Sequence, residues 1–216
     1  MHNTAYENTK KFYSVYYEPK KAEDMTIAEI GSQNVNGSVR DIFPQNWKYI
    51  GMDIQEGNGV DITIENEYTF PLENESVDCV VTISCFEHSQ MFWLSFLEGL
   101  RILKPNGLLY INVPTNTVYH PYPQDAWRFF PDAGKSLETW AQYNKLNTVL
   151  LESFVSLPVN DGQFDNVMVF AKDKSHMDEY TNRIVYTYDG HFNIRTDKQS
   201  ITDELLNPSP TWWPSW

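Results

Sequence analysis

Cysteine, positive charge and long apolar runs are all scarce in this sequence. The two cysteines, Cys79 and Cys85, lie on one expected strand and its exit, so they cannot staple a fold together. No His/Cys/Asp set along the chain has metal-ligand spacing, and no bound metal is expected. A reducing, cytoplasmic setting is the simplest one for such a chain. Lys and Arg number 16 against 29 Asp and Glu, a net charge of −13. Phosphate binding needs a basic face, and the basic residues cluster only as Lys10-Lys11 and Lys20-Lys21, so nucleic acid is not an expected partner. The longest apolar stretch surrounds Cys79 to Phe86 and is far too short for a bilayer. Met1 to Glu7 hold no apolar core of the signal-peptide kind, so no membrane association is expected. Internal repeats are missing, and so is any arrangement of Ser, His and Asp for nucleophilic catalysis.

What is present suits a packed core: 41% of residues are apolar and 15% aromatic, too many for a disordered chain. Phe12, Tyr13, Tyr16 and Tyr17 predict an amphipathic helix over Asn8 to Tyr17, ending near Pro19. Strands are predicted at 26–30, 48–53 and 60–62. Another, at 77–84, is nearly all apolar or β-branched, as a strand buried on both faces should be. A short helix is expected over 39–43 and a longer one over 89–103, which Pro105 and Gly107 stop. A strand follows at 108–113, then a helix at 132–144 and a final strand pair at 148–155 and 166–171. Strands alternating with helices imply a mostly parallel sheet. The loop between the last two is too short for a helical crossover, so an edge strand should be antiparallel. The expected organisation is one domain over 1–174, with 1–25 as an N-terminal helical cap and 175–216 as a polar C-terminal extension rich in Trp at its end.

The chemistry is expected where the first strand ends, at Glu29-Ile30-Gly31-Ser32-Gln33. Gly31 offers a backbone that a nucleoside can approach closely, although a glycine can also simply end a strand. Asp53 closes the second strand, where a carboxylate can accept both ribose hydroxyls; Ile54 follows it, and Asp61 ends the next short strand near the expected adenine. A dinucleotide would want the tighter G-x-G-x-x-G turn. S-adenosylmethionine (SAM) has no phosphate and carries a cation, so an acidic wall suits it better, with Glu29 contributing by holding the loop backbone.

These residues give the chain its resemblance to a known family. Glu29-Ile30-Gly31-Ser32, Tyr49-Ile50-Gly51-Met52-Asp53, Gly59-Val60-Asp61 and Val77-Asp78-Cys79-Val80-Val81 resemble class I SAM-dependent methyltransferases, in particular the methyltransferase type 11 group. So do Phe70-Pro71-Leu72, Glu87-His88, Arg101-Ile102-Leu103-Lys104-Pro105-Asn106-Gly107 and the segment His120 to Phe129. The resemblance implies an α/β fold: a Rossmann-like, seven-stranded, mostly parallel sheet with an antiparallel last strand and helices on both faces. It implies SAM as cofactor, with Gly31, Ser32 and Gln33 at its methionine part, Asp53 at the ribose and Asp61-Ile62 at the adenine. The segment Ser84-Cys85-Phe86-Glu87-His88 would border the sulfur and the substrate, with Ser84 and Cys85 at the cofactor. Gln33 stands where many methyltransferases have Gly, and Asn106 replaces the first Gly of the usual Pro-Gly-Gly turn, a position Asn tolerates.

Methyl transfer needs alignment of the acceptor, exclusion of water and, for a hydroxyl acceptor, a base. His88, His120 and Asp125 are the candidates for that base. His88 also reads as a loop residue bonding backbone, and Asp125 as a partner that fixes Arg128. His88, Tyr122, Trp127 and Arg128 are the candidates for acceptor contacts, with Arg128 able to clamp an acidic group; lid packing and a salt bridge within the loop are the alternatives. The expected acceptor is a small molecule or a glycan-like compound, and a homo-oligomer is compatible with the sequence. Two other functions stay open: a SAM-binding regulatory module without turnover, and an NAD-dependent oxidoreductase, against which the Gly31-Ser32-Gln33 turn argues.

Overall fold

A computed structural model describes residues 2–198. The Trp-rich terminus expected from the sequence lies outside them. Eight strands form one sheet: β1 Thr26–Ile30, β2 Lys48–Asp53, β3 Ile62–Thr63, β4 Val77–Ile83, β5 Leu103–Asn116, β6 Val149–Ser156, β7 Phe164–Ala171 and β8 His191–Thr196. Their order is β3-β2-β1-β4-β5-β7-β6-β8. The first five in sequence pair in parallel, whereas β7 is antiparallel to both β5 and β6. The expected seven-stranded arrangement is therefore present, and β8 adds an eighth strand antiparallel to β6.

Side chains of the central strands alternate between two cores. Ala28, Val80, Leu109 and Ile111 face one side, which Phe96 and Leu100 of α2 (Phe92–Ile102) and Leu137 and Ala141 of α3 (Asp132–Tyr143) complete. Ile27, Cys79, Val81 and Tyr110 face the other, beneath Phe12 and Tyr16 of α1 (Asn3–Tyr16). The Phe12 and Tyr110 rings stack at 4.4 Å. This two-sided burial explains why β4 and β5 read as near-continuous apolar runs.

Three boundaries differ from the sequence expectation. The N-terminal helix starts at Asn3 rather than Asn8, because polar side chains anchor its first turns. Thr4 donates from both its backbone N–H and its hydroxyl to Asp161 at 2.7 Å, and Asn8 donates to Asn112 and Ser156. The short helix expected after β1 shrinks to a three-residue 3-10 turn at Arg40–Ile42. Beyond Lys174 the chain continues as a 3-10 turn (Lys174–Glu179), α4 (Ile184–Thr187) and β8, and Tyr180 and Ile184 are buried against the α1 side of the sheet. No helix among the described residues is long and apolar enough to cross a membrane.

β1 and β4 are neighbours in the sheet. From β1 the chain crosses one way to β2, and from β4 the other way to β5. In such sheets a crevice opens at the carboxyl ends of the strands where the order reverses. That point brings the exit of β1, at Gly31, beside the exit of β4, at Ser84 and Cys85.

Candidate active site

A cavity of about 440 Å³ occupies that crevice. One wall is Glu29, the Gly31–Gln33 loop and Asp53–Gln55, and the adjoining one is Ser84–Ser89 with His120. Gly31 has φ +77°, a left-handed backbone, and packs against Cys85 with no room for a side chain. Asp53 ties the first wall together: its two carboxylate oxygens accept from the backbone N–H of Gln33 (3.0 Å) and of Gln55 (3.1 Å). Each oxygen keeps a second lone pair for a ligand hydroxyl. Across the mouth, the Tyr122 hydroxyl donates to the Gln33 side chain at 2.9 Å.

Glu29 lies under this wall, buried, and accepts a hydrogen bond from the Tyr49 hydroxyl at 2.9 Å. Burial pushes its carboxyl up to about 7, and the Tyr49 bond and the Arg40 charge offset this only in part. A raised carboxyl favours the folded state while it stays protonated. That contribution is complete below about pH 4.5, where folded and unfolded chains are both protonated, and is lost as pH rises through about 7. The unfolding free energy of Glu29→Gln, minus that of the natural chain, is expected to rise by about 3 kcal/mol between pH 4.5 and 8. Urea unfolding across that range measures it, and a pH-independent difference would mean that the Glu29 carboxyl titrates alike in the folded and unfolded chains.

The structure brings most of the sequence candidates to this cavity and leaves some out. Glu29, Gly31, Ser32, Gln33, Asp53, Ile54, Ser84, Cys85, His88, His120 and Tyr122 line it. Asp61 and Ile62 are not part of its wall. The Asp61 carboxylate instead accepts from the Gly51 N–H at 2.7 Å and pairs with Arg40; Ile64, on the same segment, is in the wall. Trp127 and Arg128 also stand outside it. The Trp127 indole N–H donates to the Ser89 carbonyl, and Arg128 makes a two-pronged pair with Asp125 at 2.5 and 2.6 Å. That guanidinium holds the buried Asp125 carboxyl well below the usual carboxylate range, and the His120 N–H adds to the effect. Asp125 thus braces the loop over the cavity.

Glu87 falls within the Ser84–His88 segment that the resemblance places beside sulfur and substrate, but no chemical role of its own was expected for it. Its side chain is fully buried, lines the cavity, and receives no hydrogen bond at either oxygen among the described residues. Burial pushes its carboxyl up to about 8. The signal in the sequence was its position: a charged residue directly after the apolar run of β4, where the chain leaves the sheet. Its backbone carbonyl accepts from Ala126 and Trp127, and the His88 ring nitrogen Nδ1 contacts the Gln124 carbonyl at 2.5 Å, so the aromatic loop is strapped onto this pair. One ligating atom each from Glu87, His88 and His120 lies within 4.8 Å of the other two, although no such cluster was expected from spacing along the chain.

Residues 34–111 match the family model of a methyltransferase domain. That match spans 78 of the 216 residues, and the fold that carries it is the one shared by class I SAM-dependent methyltransferases. The strand order, the antiparallel β7 and the crevice beside Gly31 are the architecture of that class. Solved structures share the fold at low identity. A 1,6-didemethyltoxoflavin-N1-methyltransferase from Burkholderia thailandensis, crystallised with 1,6-didemethyltoxoflavin and S-adenosylhomocysteine, superposes with TM-score 0.54 at 12% identity over 79% of this chain and 85% of its own. A putative sarcosine dimethylglycine methyltransferase from Galdieria sulphuraria gives 0.54 at 13%, over 77% and 86%. A SAM-dependent methyltransferase from Methanosarcina mazei gives 0.53 at 15%, over 75% and 97%. No curated protein matches the chain.

Proposed function

We propose that this methyltransferase transfers the methyl group of SAM to a small-molecule acceptor, with SAM along the Gly31–Asp53 wall and the acceptor against Glu87, His88 and His120. The observation that supports this most is a single cavity lined by both an acidic, glycine-bearing wall and the adjoining histidine-bearing one. Bound SAM supplies an activated methyl on a good leaving group. The Gly31–Gln33 backbone would lie along its methionine part, and the Asp53 carboxylate, already oriented by two backbone N–H groups, would accept its ribose hydroxyls. His88 and His120 stand where an acceptor proton would be taken up, and Tyr122 bridging to Gln33 limits water at the mouth. Glycan-like hydroxyl compounds belong in the acceptor panel beside nitrogen heterocycles.

A dinucleotide enzyme is disfavoured by the same loop. Its pyrophosphate would need a helix N-terminus after β1, and the first helical residues there are the three of the Arg40–Ile42 turn. The expected affinity loss for S-adenosylhomocysteine on Asp53→Ala is about 1.5–3 kcal/mol, or roughly 10- to 100-fold, as for a lost charged hydrogen bond. Calorimetry reads this directly, and unchanged affinity would remove Asp53 from the site. Binding without methyl transfer across the whole panel would favour the regulatory-module reading instead.

A further inference from the structure

We infer that Glu87, His88 and His120 form a binding site for one divalent transition-metal ion of the zinc class. Three features of the geometry carry this. The first is the ligand set, one carboxylate and two imidazoles, which suits zinc and its neighbours and leaves coordination positions open. The ligating atoms lie within 4.8 Å of one another, and Glu87 Oε1 and His88 Nε2 are 3.7 Å apart. Two ligands on a tetrahedral metal at ordinary bond lengths stand roughly 3.4 Å apart, so this pair is already near its final spacing.

The second feature is the state of Glu87. Its carboxylate is fully buried, yet no donor among the described residues bonds either oxygen. An unpaired carboxylate in such a place is costly, and buried charges are ordinarily paired or metal-bound. The Arg128 guanidinium forks onto Asp125, with one nitrogen 3.5 Å from His120 Nδ1, and makes no hydrogen bond to Glu87 among the described residues. The third feature is the orientation of both rings. His88 Nδ1 faces the Gln124 carbonyl at 2.5 Å, and His120 Nδ1 faces the Val118 carbonyl at 2.8 Å with Asp125 Oδ2 at 3.3 Å. A carbonyl oxygen can only accept, so His88 Nδ1 carries the proton and its Nε2 presents a lone pair towards Glu87; His120 Nδ1 has the same kind of carbonyl contact, with the Arg128 guanidinium at 3.5 Å beside it. Metal-ligating histidines are held in this way, by a carbonyl or carboxylate behind the ring. All three side chains line the cavity that holds the proposed acceptor, and with a metal bound the two imidazole lone pairs would no longer be free to take up its proton.

Cobalt(II) titration of the full, tag-free chain after chelator treatment tests this without relying on turnover. One equivalent is expected to bind per chain, with the visible absorption of low-symmetry Co(II), and zinc(II) should displace it. Glu87→Gln, which keeps the shape of the side chain, and His120→Ala should each weaken binding at least tenfold. His176→Ala, which alters a surface His–Glu pair, should leave it unchanged. Absence of a stoichiometric site, or equal binding in Glu87→Gln, overturns the inference. S-adenosylhomocysteine binding measured on the same samples shows whether each variant is folded, and it tests the SAM site separately.

Discussion

Replacing Gly31 with valine is expected to abolish S-adenosylhomocysteine binding and to destabilise the fold in the same step. The backbone at Gly31 sits at φ +77°, where a β-branched residue is strained by about 1–2 kcal/mol. A Cβ there would stand 2.5 Å from the Cys85 sulfur and 2.7 Å from its Cβ, and overpacking of this kind costs about 1–3 kcal/mol. Together the loss should be about 2–5 kcal/mol in urea unfolding. The two causes can be separated. Cys85→Gly in the Gly31→Val background removes the collision but not the left-handed strain, so the double variant should recover only the overpacking share. Binding should stay lost in both, because the loop that carries the Gln33 N–H to Asp53 is displaced. Normal binding by Gly31→Val would show that the cofactor does not lie along this loop.

Gly31 also shows which parts of the site can be read from sequence. A glycine after a β-branched strand, with an aspartate closing the next strand, marks a crevice at the sheet's carboxyl edge, and that inference needs only strand order. Side-chain direction is another matter. Asp61 comes at the expected place along the chain, yet the Gly51 N–H and Arg40 draw its carboxylate away from the cavity. Arg128 lies on the right loop, but its fork is taken by Asp125. Glu87 and His120 meet although they are far apart in sequence, because the loop after β5 folds back onto the exit of β4; periodicity carries no trace of that return.

The fold shows the same division. β1, β2 and β4 announce themselves by apolar content. The first turns of α1 do not, since Thr4, Asn8 and Thr9 are buried through hydrogen bonds rather than through apolar surface. β8 is an edge strand with polar and apolar residues mixed, and it looked like tail. What fixes it is a buried polar network whose members come from three separate segments, a kind of interaction that a one-dimensional pattern cannot display.

That network makes the second large prediction. Arg183 is 1% exposed, and its guanidinium donates to Asp197, to the Leu151 carbonyl on β6 and to the carbonyls of Tyr180 and Asn182. Next to it, the buried Glu152 of β6 accepts from the Tyr16 hydroxyl at 2.6 Å and from the Ile184 and Val185 N–H groups. One end of α1, the middle of β6 and the start of α4 are thus joined through two side chains. Arg183→Ala would strand the Asp197 carboxylate and several carbonyls in a dry interior, and breaking one half of a buried pair costs about 3–5 kcal/mol. For a domain of this size that is a fall in Tm of roughly 10 °C. If the residues after Lys174 were a detachable appendage, the main unfolding transition would stay where it is in Arg183→Ala, and only a minor, early transition would move. We expect one shifted transition instead, because Arg183 and Glu152 couple the segment to the strand that carries it and to the helix that covers the sheet.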